Sequence, residues 1–191
     1  MLLHGRGSNE MDLLSLGPAL DPRLFVISPR APHALAPGSY YWYDLEAAMI
    51  GRPSPDDLSD SLALILALTD EVAERFPIDP ARLFVGGFSM GGAMTAAMLL
   101  MHPERLAGAM ILSGYVPIHT DMGWRLEQAA NKPVFQAHGV YDDVLPIQFG
   151  RMSRDFLLEA GMDLTYREYP IAHQVAPDEL DDAREWLTPL L

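Results

Sequence analysis

Apolar residues follow two rhythms along this chain. Short runs rich in β-branched and aromatic residues occur at "MLLH" (1–4), "LFVIS" (24–28), "RLFVGG" (82–87), "GAMILSG" (108–114), "PVFQAH" (133–138) and "LTYREY" (164–169). They lack strict alternation of apolar and polar positions, which predicts strands of a parallel sheet buried on both faces. Longer stretches of helical period separate them. "PSPDDLSDSLALILALTDEVAERF" opens with Ser54 as a cap, Pro55 in the first turn and acids where a helix dipole favours them. Further helices are expected over 90–102, 121–130, 147–160 and 177–188. Met90, Met94, Met98 and Met101 recur at helical spacing and read as a buried face, not a metal site.

Strands joined by helices of this length require right-handed crossovers, so the expected fold is α/β, with helices on both faces of a mostly parallel sheet. Ligands of such sheets bind beyond the carboxyl ends of the strands. No repeat, low-complexity block or linker interrupts the pattern, and one domain over 1–191 is expected. One connection is long. "PRAPHALAPGSYYWYDLE", from Pro29, is rich in proline and aromatics, and Tyr41, Trp42 and Tyr43 are candidates either to staple this loop down or to line an apolar substrate groove.

Charge and composition narrow the function. The 13 Lys plus Arg against 26 Asp plus Glu give a net charge of −13, which disfavours nucleic acid and anionic membranes as partners. There is no cysteine, so thiolate metal sites and a thiol nucleophile are excluded. The start "MLLHGRGSNE" has no basic region before its apolar residues, and no run reaches the length of a membrane span; a cytoplasmic location is expected.

The candidate chemistry centres on Gly87-Phe88-Ser89-Met90-Gly91. It fits the pattern GxSxG at the junction of a predicted strand and a predicted helix, where a sharp turn exposes the serine hydroxyl and only glycines fit beside it. A serine needs a base oriented by an acid. Asp142 and Asp143 follow "PVFQAH", and His173 follows "LTYREY", each at a strand's carboxyl end. The order Ser89, Asp142, His173 is that of an α/β-hydrolase. His33, His102, His119 and His138 do not follow the last strand. The oxyanion calls for two backbone N–H groups, for which Met90 and Arg6 are the candidates. The segment "LHGRGSN" is no dinucleotide fingerprint, since Glu10 stands where a third glycine would be needed.

Together "LLHGRGSN", "GGFSMGGA", "HGVYDDVLP" and "YPIAHQV" resemble the phospholipase/carboxylesterase family of α/β-hydrolases, over nearly the whole chain. The resemblance implies a three-layer α/β/α hydrolase fold with its N-terminal strands missing or shortened. It also implies hydrolysis of carboxylic esters, with thioesters and lysophospholipids as further substrates, and neither cofactor nor metal. The family's HGxxD spacing selects Asp142 over Asp143. Met90 stands where members usually carry Gln, so a side-chain contact is expected to be lost there. Leu145 and Val175, near the catalytic loops, join Tyr41, Trp42 and Tyr43 as candidate contacts to a short or medium acyl chain, and Arg6 is a candidate to attract an anionic group. The alternatives are a lactone or dienelactone hydrolase, and a ligand-binding homologue without catalysis. An uncovered sheet edge would favour a homodimer.

Overall fold

A computed structural model describes residues 1–45, 51–120 and 122–191. In chain order the elements are β1 (Leu2–Leu3), α1 (Leu16–Leu20), β2 (His33–Ala36), β3 (Ser39–Tyr41), α2 (Pro55–Arg75), β4 (Phe84–Phe88) and α3 (Met90–Met101). Then follow β5 (Gly108–Leu112), α4 (Leu126–Ala129), β6 (Pro133–Gly139), α5 (Ile147–Glu159), β7 (Asp163–Tyr169) and α6 (Pro177–Leu187). A five-stranded sheet of order β1-β4-β5-β6-β7 forms the middle layer, and every pairing in it is parallel.

Side chains of the strands alternate between two cores, as a sheet covered on both faces requires. Leu3, Val85, Ala109, Ile111 and Val134 join the core that also holds residues of α2, α3 and α5. Leu2, Met110, Leu112, Phe135 and Ala137 join the other, with Leu20 of α1 and Ala183 and Leu187 of α6. This is the three-layer α/β/α arrangement. In α3, Met90, Met94 and Met98 are buried with nearly every other residue, so this helix is apolar all round because it is covered all round. At the start of α2 the Ser54 hydroxyl accepts the Asp57 N–H at 3.5 Å, with Pro55, Asp56 and Asp57 in the first turn. Its stripe of Leu58, Leu62, Ile65 and Val72 then meets the core.

Three expectations need correction. Residues 24–28 form no strand: among the described residues one backbone bond, Leu2 N–H to the Ile27 carbonyl at 2.7 Å, ties them to β1, too few for a ladder. The loop from Pro29 contains a small antiparallel sheet of β2 and β3, turning at Pro37-Gly38, where Gly38 has φ +78°. The helix expected over 121–130 is reduced to α4 in the described residues, Asp121 lying outside them. Glu46, the last residue of the aromatic segment, also lies outside them.

The two ends of the sheet differ. At the amino ends of β1 and β4 an apolar cleft of about 420 Å³ is lined by Phe25, Val26, Leu83, Phe84 and Trp186. The carboxyl ends carry the candidate chemistry. Among the described residues no helix is long and apolar enough to cross a membrane.

Candidate active site

Ser89 sits between the last residue of β4 and the first of α3, at φ 56° and ψ −117°. Such backbone angles cost a non-glycine residue about 1–3 kcal/mol and persist only where the surroundings enforce them. They do so here. The Ser89 N–H donates to the Leu112 carbonyl at 2.9 Å, and the Ser89 carbonyl accepts from the Ala93 N–H at 3.1 Å. The flanking glycines are steric necessities: a Cβ on Gly87 would lie 2.2 Å from the Gly91 carbonyl oxygen, and one on Gly91 would lie 1.9 Å from that of Leu3. The same turn therefore exposes the hydroxyl and lets α3 pack against β1.

Two later loops reach this hydroxyl. His173, after β7, places Nε2 2.9 Å from Ser89 Oγ and Nδ1 2.6 Å from Asp142 Oδ2. A carboxylate only accepts, so Nδ1 carries the proton and Nε2 is left to accept from the serine. Asp142, after β6, is 6% exposed, and its Oδ1 accepts the N–H groups of Val144 at 3.0 Å and Leu145 at 2.7 Å. Asp143 is exposed and makes no such bonds. The loops of Asp142 and His173 are joined directly, Val140 N–H donating to the Tyr169 carbonyl at 2.8 Å and Tyr141 N–H to that of Ile171 at 3.0 Å. The imidazole also packs on Phe88, with ring centroids 4.8 Å apart.

The turn holding Arg6 is fixed by a buried histidine. His4 donates from Nδ1 to the Gly5 carbonyl at 2.8 Å and accepts the Ala31 N–H on Nε2 at 3.1 Å. Gly7 and Ser8 bond to Tyr40, and Gly5 packs on Ser89 so closely that a Cβ on it would lie 3.4 Å from the serine's. The Arg6 guanidinium lies over the Tyr41 ring, 4.8 Å from its centroid. Met90 heads α3, where a backbone N–H has no partner within the helix.

The sequence pattern of the family described as Phospholipase/Carboxylesterase matches this chain over residues 1–191. The chain belongs to that family. A probable carboxylesterase of Oryza sativa is 30% identical over 171 residues, 85% of this chain and 64% of that protein, so the chain spans a little under two thirds of this plant relative. Acyl-protein thioesterase 1 of Cryptococcus neoformans is 29% identical over 215 residues, 98% of this chain and 90% of that protein. Among solved structures, the Bacillus cereus carboxylesterase superposes with a TM-score of 0.87 at 27% identity, covering 100% of this chain and 87% of that one.

Within this phospholipase/carboxylesterase framework, the candidate contacts to the acyl chain differ in their surroundings. Trp42 and Tyr43 are 1% and 0% exposed and face the core, not a groove. The Trp42 indole N–H donates to the His4 carbonyl at 2.8 Å, and the Tyr43 hydroxyl bonds that of Tyr115 at 2.9 Å. Leu145 is 4% exposed and packs inside as well, drawn in by its bond to Asp142. Tyr41 and Val175 remain partly exposed. Nor is the side chain of Met90 idle, because its Sδ accepts the Trp42 N–H at 3.4 Å and ties the aromatic segment to α3. Tyr141 and Val144, 67% and 54% exposed beside Asp142, are apolar surface that the sequence reading passed over. They flank the acid in "HGVYDDVLP", which is the signal that could have found them.

Glu179 was also missed. It is buried in the first turn of α6, where Oε2 accepts the Ala176 N–H at 3.2 Å, three residues beyond His173, and Oε1 has no hydrogen-bond partner among the described residues. Burial pushes its carboxyl up from 4.5 to about 7. The folded form therefore binds this proton more tightly than the unfolded one, and the stability so gained, full below pH 4.5, is lost as pH rises through about 7. Glu179→Gln keeps an oxygen for the Ala176 N–H but has no charge to bury. It is expected to melt a few degrees above the parent protein at pH 8, with the gain shrinking at pH 5; an equal gain at both pH values in thermal melts would sink this account.

Proposed function

We propose that the chain is a serine hydrolase that cleaves carboxylic esters of short to medium acyl chain, with thioesters and lysophospholipids within reach of the same chemistry. The supporting observation is the relay from Asp142 through His173 to Ser89, at 2.6 and 2.9 Å, ending on a serine held at strained backbone angles. Ser89 Oγ attacks the acyl carbonyl as His173 Nε2 takes its proton, and Asp142 holds the imidazole in the required tautomer and stabilises the imidazolium. The N–H groups of Met90 and Arg6 receive the oxyanion. His173 returns the proton to the leaving alcohol or thiol. Water, deprotonated by the same nitrogen, then releases the acid and restores Ser89.

The printed names of relatives, carboxylesterase and acyl-protein thioesterase, agree with this class of reaction. The partners implied are small ester or thioester molecules, and the location implied is the cytoplasm. No step calls for a metal or cofactor. The test combines a fluorophosphonate, whose adduct is located by peptide mass spectrometry, with a panel of p-nitrophenyl esters, acyl thioesters, lactones and anionic hemiesters. Labelling of Ser89 alone and turnover of the short esters are expected. Labelling at another residue, or no turnover across the panel, would overturn the assignment.

A further inference from the structure

We propose that His138 is a positioning residue for the reaction: by donating from Nε2 to the Leu145 carbonyl it clamps the loop that presents Asp142 to His173. This rests on the serine-hydrolase reading above. His138 lies near the carboxyl end of β6 with its side chain wholly buried, yet no step of the mechanism uses it. A carbonyl can only accept, so the 2.8 Å contact with Leu145 puts the proton on Nε2. That same nitrogen stands 3.5 Å from Asp142 Oδ2, the oxygen that receives the proton of His173 Nδ1.

Leu145 is thereby gripped at both ends of its backbone. Its carbonyl accepts from His138, and its N–H donates to Asp142 Oδ1 at 2.7 Å. Without the first contact, the backbone of Leu145 keeps one of these two hydrogen bonds, its N–H to Asp142 Oδ1, beside the packing of its buried side chain. The other ring nitrogen, Nδ1, has no hydrogen-bond partner among the described residues and faces Gly150, where a Cβ would lie 2.7 Å away. A second proton there would find no acceptor, and burial lowers the pKa of the ring accordingly. His138 thus stays a neutral donor of fixed direction. Asp142 has two anchors on one oxygen and the acid-base histidine on the other, and His138 is the wall against which the whole loop is braced.

The test sets three substitutions against one another, with p-nitrophenyl butyrate as substrate. His138→Leu fills the space without a donor and is expected to lower kcat by roughly 10- to 100-fold with KM changed less than about 2-fold, the range known for loss of the outer partner that orients a metal-ligating side chain. His138→Gln places an amide N–H near the former Nε2 and is expected to recover kcat to within about 3-fold of the parent. His138→Asn, whose shorter amide falls at the Nδ1 side, is expected to behave like leucine; this pair decides the matter even if the leucine variant does not fold. Because the clamp acts through the acid, His138→Leu should cost little more in an Asp142→Asn background. Glutamine no better than asparagine, or a full further loss in that background, would overturn the proposal. Failure of the hydrolase reading itself has a different signature, namely a parent protein that does not turn over the ester.

Discussion

Ser89→Ala is expected to abolish ester hydrolysis and fluorophosphonate labelling while the protein still folds. The expected fall in kcat is on the order of 10⁵- to 10⁶-fold, the scale reached when the nucleophile of a serine hydrolase is removed and only the oxyanion site and binding remain. Little else depends on the hydroxyl. It makes no cap bond to α3, and its contact to His173 is the one side-chain hydrogen bond it forms among the described residues. The strain at φ 56° is a property of the backbone and survives in alanine. Ser89→Gly relieves it, so the glycine variant is expected to be equally inactive and to melt higher than Ser89→Ala by a few degrees. Thermal melts and stopped assays on the two variants check both halves. An alanine variant with a tenth of the parent rate would end the assignment of Ser89 as nucleophile.

Why the turn at Ser89 could be read from the chain, and the orientation of the aromatic segment could not, has a physical explanation. The turn at Ser89 is dictated by sterics that are local in sequence: Gly87 and Gly91 are there because a Cβ at either place would strike a carbonyl oxygen, and that exclusion leaves its mark on the sequence. The meeting of His173 and Asp142 with Ser89 could be anticipated because parallel strands deliver their carboxyl ends to one edge of the sheet, so that the loops after β6 and β7 open on the same edge as the end of β4. The direction of an aromatic side chain is set by partners distant in sequence. The indole of Trp42 is turned inward by the carbonyl of His4, and the ring of Tyr43 by the hydroxyl of Tyr115, neither of which lies near them in the chain. Likewise the apolar run at 24–28 has the composition of a strand, but pairing is a property of two segments, and β1 offers it only one bond. Leu145 is apolar and close to Asp142 in the chain, which made it a candidate substrate contact; its side chain is buried, and its backbone bonds Asp142 and His138.

Asp142→Asn is the second large effect expected, and the hydrogen bonds of its loop determine how it arises. Oδ1 of Asp142 receives two backbone N–H groups, from Val144 and Leu145, whereas Oδ2 receives His173 Nδ1. An asparagine in this place has one oxygen and one NH₂. The two loop N–H groups need an acceptor, so the oxygen turns to them and the NH₂ points at His173 Nδ1. Nδ1 must then accept, the ring proton moves to Nε2, and the nitrogen facing Ser89 can no longer take the hydroxyl proton. Loss of kcat by about 10⁴-fold follows, the magnitude seen when a serine hydrolase is locked in the wrong tautomer. Asp143→Asn, one residue along and exposed to solvent, is expected to stay within about 2-fold of the parent, since surface substitutions away from such networks change little. Steady-state kinetics on the pair separate the two carboxylates. A reversed pattern, with Asp143→Asn crippled and Asp142→Asn active, would mean that in solution the loop presents the other acid, and the bracing of Leu145 by His138 would have to be abandoned with it.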